Sequence, residues 1–179
     1  MSAIRLTGST SGYAEITPSA IAGDVQLVLP STAGTLDRLN RAGNVLQVVN
    51  ATYSTSTTRA SSAYADTNLT ASITPASATN KILVIVHHNG CGKNTSDTQL
   101  QLRLLRDSTV IAQIEDTAGY DGSSGSNYIG TCSISYLDSP SSTSAITYKT
   151  QYASAANTSQ VQLQANSTVS TITLMEVAA

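Results

Sequence analysis

The sequence predicts an all-β protein, a jelly-roll-like β-sandwich preceded by an extended N-terminal β-arm. Two observations carry this reading. Apolar and polar residues alternate with a period of two in run after run, and Gly, Pro, Ser or Asn punctuates each run. The core must also be aliphatic: the chain has no Trp, no Phe and eight Tyr, so Ile, Leu, Val, Ala and Thr have to fill it. Ser and Thr make up roughly 28% of the 179 residues, above ordinary globular usage. Their placement in alternating β-branched runs separates the chain from disordered hydroxyl-rich sequences.

Residues 1–42 form the arm. The stretch "AIRLTGSTSGYAEITPSAIAGDVQLVLPSTAGTL" holds three short β-like pieces, Ile4 to Thr7, Tyr13 to Thr17 and Val25 to Leu29, separated by Gly8, Gly12, Pro18, Gly23, Pro30 and Gly34. Strands of four or five residues bury too little apolar surface to offset an ordering entropy of about 1–2 kcal/mol per residue. They need partners, either the sandwich of the same chain or, more often for an arm of this kind, neighbouring copies or another protein. Ile4, Leu6, Tyr13, Ile16, Val25, Leu27 and Leu29 are the candidate intersubunit contacts. "TLDRLNRAG" has a helical look and allows one short turn.

Residues 43–179 form the sandwich, with nine or ten strands expected at the spacing of a jelly roll. "GNVLQVVNATYS" sets Val45, Gln47 and Val49 on one face and Leu46, Val48 and Asn50 on the other. "TNLTASITP" alternates Leu69, Ala71 and Ile73 against hydroxyls and stops at Pro75. "NKILVIVHHNG" is apolar on both faces through Val86, the pattern of a central strand, and Asn89-Gly90 is expected to end it. "TQLQLRLLRDSTVIAQIE" reads as a hairpin with Leu100, Leu102 and Leu104 inward, a turn at Arg106-Asp107-Ser108, and a return through Val110, Ala112 and Ile114. "YIGTCSISYLDSP", "SAITYKTQYAS", "SQVQLQANS" and "STITLMEV" supply four more strands.

Charge excludes some functions. Charged residues are 11% of the chain and the net charge is −2, so no basic field gathers phosphates and no nucleic-acid partner is expected. No apolar run has the length of a membrane span, and the first ten residues lack the basic and apolar blocks of a secretory signal. Cys91 and Cys132 are expected as free, semi-buried thiols.

No catalytic, cofactor-binding or metal-ligating residue is assigned, and no enzyme activity or cofactor is expected. His87 and His88 are neighbours on a strand and point to opposite faces, so they do not jointly ligate one metal; one should face the core and the other the solvent or a neighbouring copy, the alternative being a threefold axis where one His from each of three copies gathers a metal or anion. "NGCGKN" lacks the spacing and helix of a phosphate loop, and Gly8 to Gly12, "GSTSG", lacks the strand-turn-helix setting of a nucleophile elbow. The loop "EDTAGYDGSSGSNY" reads first as a mobile exposed connection. Its functional reading is surface recognition by Tyr120, Asp121, Asn127 and Tyr128, with the tyrosines as stacking platforms. It has no Asp-x-Asp-x-Asp spacing for Ca²⁺.

Three stretches carry a resemblance. "LTGSTSGYAEITPSAIAGDVQLVLPSTAGTL" resembles an N-terminal β-arm repeat of tailed-bacteriophage structural proteins, notably those of cyanophages. "VLQVVNATYSTSTTRASSAYADTNLTASITPASATNKILVIV" is similar to the first half of the β-sandwich that ends phage fibres and decorates capsids. "LDSPSSTSAITYKTQYAS" with "ITLMEV" resembles its second half. The resemblance implies a homotrimeric virion protein, made in the host cytoplasm and placed on the outer capsid surface as cement. Its partners would be its own copies, the major capsid protein or another virion protein, and a host-surface glycan bound by the hydroxyl-rich exterior. The alternative is a short tail-fibre or spike tip, although one compact domain with no heptads and no shaft repeat leaves little room for a shaft. A carbohydrate-binding module is a third reading, set against the absence of Trp platforms.

Overall fold

The computed structural model describes residues 4–7, 13–16, 41–95 and 97–179. The chain divides into two units, Met1–Leu36 and Asp37–Ala179. In the first, β1 (Ile4–Thr7) and β2 (Tyr13–Ile16) pair antiparallel, with Ile4 opposite Ile16 and Thr7 opposite Tyr13. Ile4, Leu6, Tyr13 and Ile16 therefore belong to one hairpin. Val25, Leu27 and Leu29 lie outside the described residues, as does most of "TLDRLNRAG".

Among the described residues the second unit carries ten strands: β3 (Val45–Tyr53), β4 (Thr57–Arg59), β5 (Ala65–Ile73), β6 (Lys81–Lys93), β7 (Leu100–Arg106), β8 (Thr109–Ala118), β9 (Asn127–Asp138), β10 (Ile146–Ser154), β11 (Val161–Leu163) and β12 (Ser170–Val177). Leaving aside the short β4 and β11, the first long strand pairs with the eighth (β3 with β12) and the second with the seventh (β5 with β10). The third pairs with the sixth (β6 with β9), and the fourth with the fifth (β7 with β8). This is one long antiparallel hairpin rolled over on itself, with β12 against β6 and β10 against β7 closing the roll. The result is two sheets, β3-β12-β6-β9 and β5-β10-β7-β8. That order makes the unit a jelly-roll β-sandwich, as the sequence predicts. β11 joins β6 beyond the end of β12 and carries β4 on its other edge.

The inward residues fill the space between the sheets in two clusters. One gathers Leu69, Ile73, Ile82, Val84, Val86, Leu104, Tyr148, Ile172 and Leu174, and the other Cys91, Leu100, Leu102, Cys132, Tyr152, Val161 and Leu163. Between them along β6 and β10 lie two polar positions, His88 and Thr150, both fully buried. Cys91 and Cys132 are free thiols, and both are buried rather than half-buried.

Three expectations change. β6 does not end at Asn89-Gly90; it runs on to Lys93, because β9 and β11 supply backbone partners there. Gly90 stays in the strand by adopting φ +63°, and a Cβ on Gly92 would meet the Asn127 carbonyl at 2.3 Å. Val110 does not face the core: the register slips between Leu104 and Leu105, which turns Val110 outward. The third change concerns the second apolar face of β6, which the opposite sheet of the sandwich does not cover.

That outer face repeats across four strands. Val48, Met175, Leu83 and Leu137 stand side by side in one row. Asn50, Thr173, Ile85 and Ser135 form the next row, followed by Thr52, Thr171, His87 and Ser133. Val48 and Leu137 are more than half exposed, at 56% and 53%. His87 is exposed in this face while His88 is buried beneath it, as strand alternation requires.

Candidate functional site

The site is built at the end of the first sheet, where β6, β9 and the β11–β12 connection meet. It begins with the polar strip inside the sandwich. The His88 Nε2–H donates to Thr150 Oγ1 (2.9 Å), whose hydroxyl lies 2.6 Å from Thr67 Oγ1. On the other side of the ring, Gln164 Nε2 donates to His88 Nδ1 (3.3 Å) and to Ser170 Oγ (2.8 Å). Gln164 Oε1 accepts the Thr57 hydroxyl (3.2 Å). These bonds tie β6 to β5 and β10 in the opposite sheet. Burial drives the His88 pKa from 6.5 down to about 4, so the ring is neutral and its acceptor nitrogen is available to Gln164.

Gln164 opens a tight turn, Ala165–Ser167, in which three residues that are not glycine take left-handed backbone: Gln164 (φ 55°), Asn166 (φ 55°) and Ser167 (φ 59°). Such conformations cost about 1–2 kcal/mol each, somewhat less for Asn. The surroundings hold them in place. The Gln164 amide donates to the Asn89 carbonyl (2.9 Å), the Asn89 side chain donates to the Val169 carbonyl (2.6 Å), and the Asn89 amide donates to Ser170 Oγ (3.0 Å).

The turn forms one wall of a cleft of about 500 Å³ lined by Gly90, Tyr128, Gly130, Gln162, Ala165, Asn166 and Thr168. Smaller clefts, about 180 Å³ beside Asp66 and Lys149 and about 160 Å³ beside Asn80, lie elsewhere. The glycines shape the floor. A Cβ on Gly90 would strike the Ala165 amide nitrogen at 2.4 Å and Thr168 Oγ1 at 2.5 Å, so only glycine lets the turn approach β6. Above Gly130 there is open space, and its φ of +89° keeps a side chain out of the cleft. The opposite wall is the half-exposed ring of Tyr128. Its hydroxyl lies 2.7 Å from Asn94 Oδ1 and 3.0 Å from Gln162 Oε1, donating to one at a time, which fixes the ring's orientation.

The four loop residues expected to act together separate. Tyr128 lines the cleft. Asn127 is structural: its Nδ2 donates to the Gly119 carbonyl (3.1 Å). Asp121 is held by Lys93, a fully buried cation at the end of β6, at 2.5 Å, and Lys93 Nζ also donates to the Ser123 carbonyl (2.5 Å). The Lys93 hydrogen bond, with the Ser123 amide adding to it, lowers the Asp121 pKa to about 2. Tyr120 is exposed and does not line the cleft. The loop expected as an exposed connection is exposed from Tyr120 to Ser126, and a buried lysine anchors it at Asp121 and Ser123. Among the described residues, no three His, Cys, Asp or Glu side chains converge as a metal site would require.

No family model matches this chain, and no curated protein matches it. Among solved structures it is similar to one of infectious bursal disease virus, Gx strain, with 13% identity and a TM-score of 0.44 over 97% of this chain. A second, of the Gt strain of the same virus, shows 12% identity and a TM-score of 0.37, again over 97% of this chain. The chain spans 40% and 46% of the length of those two chains. Likeness at this level assigns no function.

Sequence reasoning missed Gln162, Asn166 and Thr168. The one local signal was Asn166, a residue type that tolerates left-handed backbone, in the "QANST" turn.

Proposed function

We propose that this chain is a virion structural protein, a homotrimeric capsid cement or decoration protein seated on the outside of a head. The observation that carries the reading is the outer face of the β3-β12-β6-β9 sheet. Three adjacent rows contain no Asp, Glu, Lys or Arg and one of them is wholly apolar, while the exposed Lys81 stands in the row beyond, beside Val177. Four strands at about 4.8 Å spacing make a face roughly 20 Å across. Aliphatic side chains bordered by hydroxyls and amides suit burial against a different, weakly charged patch of a neighbouring subunit, the heterologous contact that a cyclic trimer requires. That three copies gather, and that residues 1–42 reach to neighbouring subunits as added strands, follows the resemblance to phage β-arm and β-sandwich proteins. The role is mechanical: buried surface across capsid junctions resists internal pressure.

The test has two parts. Sedimentation of the full chain should give a trimer, and Leu137→Glu, which sets a carboxylate in the aliphatic row, should give monomers of unchanged circular dichroism. A monomeric wild type, or a Leu137→Glu trimer of undiminished affinity, removes the basis of the proposal. Immunogold labelling of intact particles then separates locations. Copies spread over the head support cement, whereas a few at the tail assign the chain to a fibre or spike tip.

A further inference from the structure

We infer that the cleft between Tyr128 and the Ala165–Ser167 turn binds a neutral carbohydrate. The inference concerns recognition and does not depend on where on a particle the chain sits. Its volume, about 500 Å³, falls within the range of small-ligand sites. The chemistry of its walls narrows the class of ligand. Tyr128 presents a half-exposed ring whose hydroxyl is anchored at the far end by Asn94 and Gln162. A ring held in this way offers its face to the C–H face of a sugar and loses little freedom on binding.

Opposite it stand Asn166 and Thr168, both exposed, and neither side chain makes a hydrogen bond within the described residues. A carboxamide and a hydroxyl supply both donors and acceptors, the complement of a sugar's hydroxyls. No charged side chain lines the cleft, so nothing there compensates a phosphate, sulfate or carboxylate. The floor is glycine at Gly90 and Gly130, with open space where a Gly130 side chain would stand. The wall bearing Asn166 is held in left-handed backbone by the buried Gln164–His88–Ser170 bonds, so the carboxamide is presented before any ligand arrives.

The test is NMR titration of the full ¹⁵N-labelled chain with maltohexaose, cellohexaose, xylohexaose and N-acetylchitohexaose. Sialyllactose and a heparin hexasaccharide serve as charged comparisons. At least one neutral oligosaccharide should saturate with a Kd of about 1 mM or tighter. Its shifts should centre on the amides of Gly90, Tyr128, Gly130 and Asn166. Asn166→Gly keeps the left-handed backbone and removes the carboxamide, so it should weaken binding about tenfold, the worth of one good hydrogen bond, with the melting temperature preserved. Tyr128→Ala should abolish binding, and Tyr120→Ala should leave it unchanged. The inference is overturned if no neutral probe saturates, if only the charged glycans bind, or if shifts centre elsewhere. It is equally overturned if Asn166→Gly and Tyr128→Ala both bind as tightly as wild type.

Discussion

Lowering the pH from about 7 to about 4 should weaken this protein through His88 by an amount that the structure sets. In the unfolded chain the imidazole has its ordinary pKa of 6.5, whereas in the fold burial lowers it to about 4. Between those values the unfolded state binds a proton that the folded state refuses, so folding stability falls as pH falls. The contribution is fully present above about pH 6.5 and is lost as the pH drops toward 4. At about 1.4 kcal/mol per pH unit, the gap amounts to roughly 3 kcal/mol, a large share of the 5–15 kcal/mol typical of domains. The structural cost is specific: a protonated Nδ1 would face the Gln164 Nε2 donor, and that contact orders the Ala165–Ser167 turn. The assay is urea unfolding at matched protein concentration across this interval, for wild type and His88→Gln, which cannot titrate. The carboxylates whose pKa values are lowered, among them Glu176 and Asp121, contribute equally to both proteins and cancel in the difference. Wild type should lose about 3 kcal/mol more than the variant between the two pH limits. Parallel pH profiles would refute the assignment of a neutral, buried imidazole.

The remaining expectations concern other buried polar groups. Glu176, fully buried, accepts from the Ala76 amide, Asn80 Nδ2 and Gln47 Nε2. Burial pushes its pKa up, but these donors outweigh burial and hold it below the usual carboxylate range. Glu176→Ala strands the buried Asn80 side chain, while the exposed Ala76 amide meets water and Gln47 keeps the Thr74 carbonyl; it should cost about 2 kcal/mol in urea unfolding, with a smaller loss for Glu176→Gln. Asp121→Asn weakens the partner of Lys93. Because Asp121 is itself exposed, global stability should change little, with faster amide exchange confined to residues 119–126. Cys91 and Cys132 should resist a thiol reagent in the folded protein and both react in denaturant. The facing Cys91 thiol, and burial after it, hold Cys132 protonated, so rapid native labelling of either would contradict the packing.

Much of the sandwich was legible as alternation. Leu69, Ala71 and Ile73, or Leu100, Leu102 and Leu104, announce one buried face because side chains on a strand alternate and only one face meets the opposite sheet. The same rule put one of His87 and His88 inside and the other outside; the structure decides that His88 is the buried one. Slips in register were not legible. Val110 turned outward and β6 ran past Gly90 because a partner strand, distant in sequence, set the hydrogen-bonding pattern. The loop tyrosines looked equivalent on paper. Tyr128 lines a cleft and Tyr120 does not, a difference set by Asn94 and Gln162.

The sequence by itself determined the fold class and the buried faces of most strands, because both follow from local periodicity and from a composition that leaves only aliphatic residues for the core. Tertiary structure alone decided the cleft. Gly90, Tyr128, Gly130, Gln162, Asn166 and Thr168 come from three separate segments, and rolling the hairpin brings them to one end of the sandwich. It also decided the apolar row of the outer face: Val48, Leu83, Leu137 and Met175 are spread along the chain and become one row through the register of four strands. Strand pairing is a long-range property, and no local pattern encodes which rows it brings together.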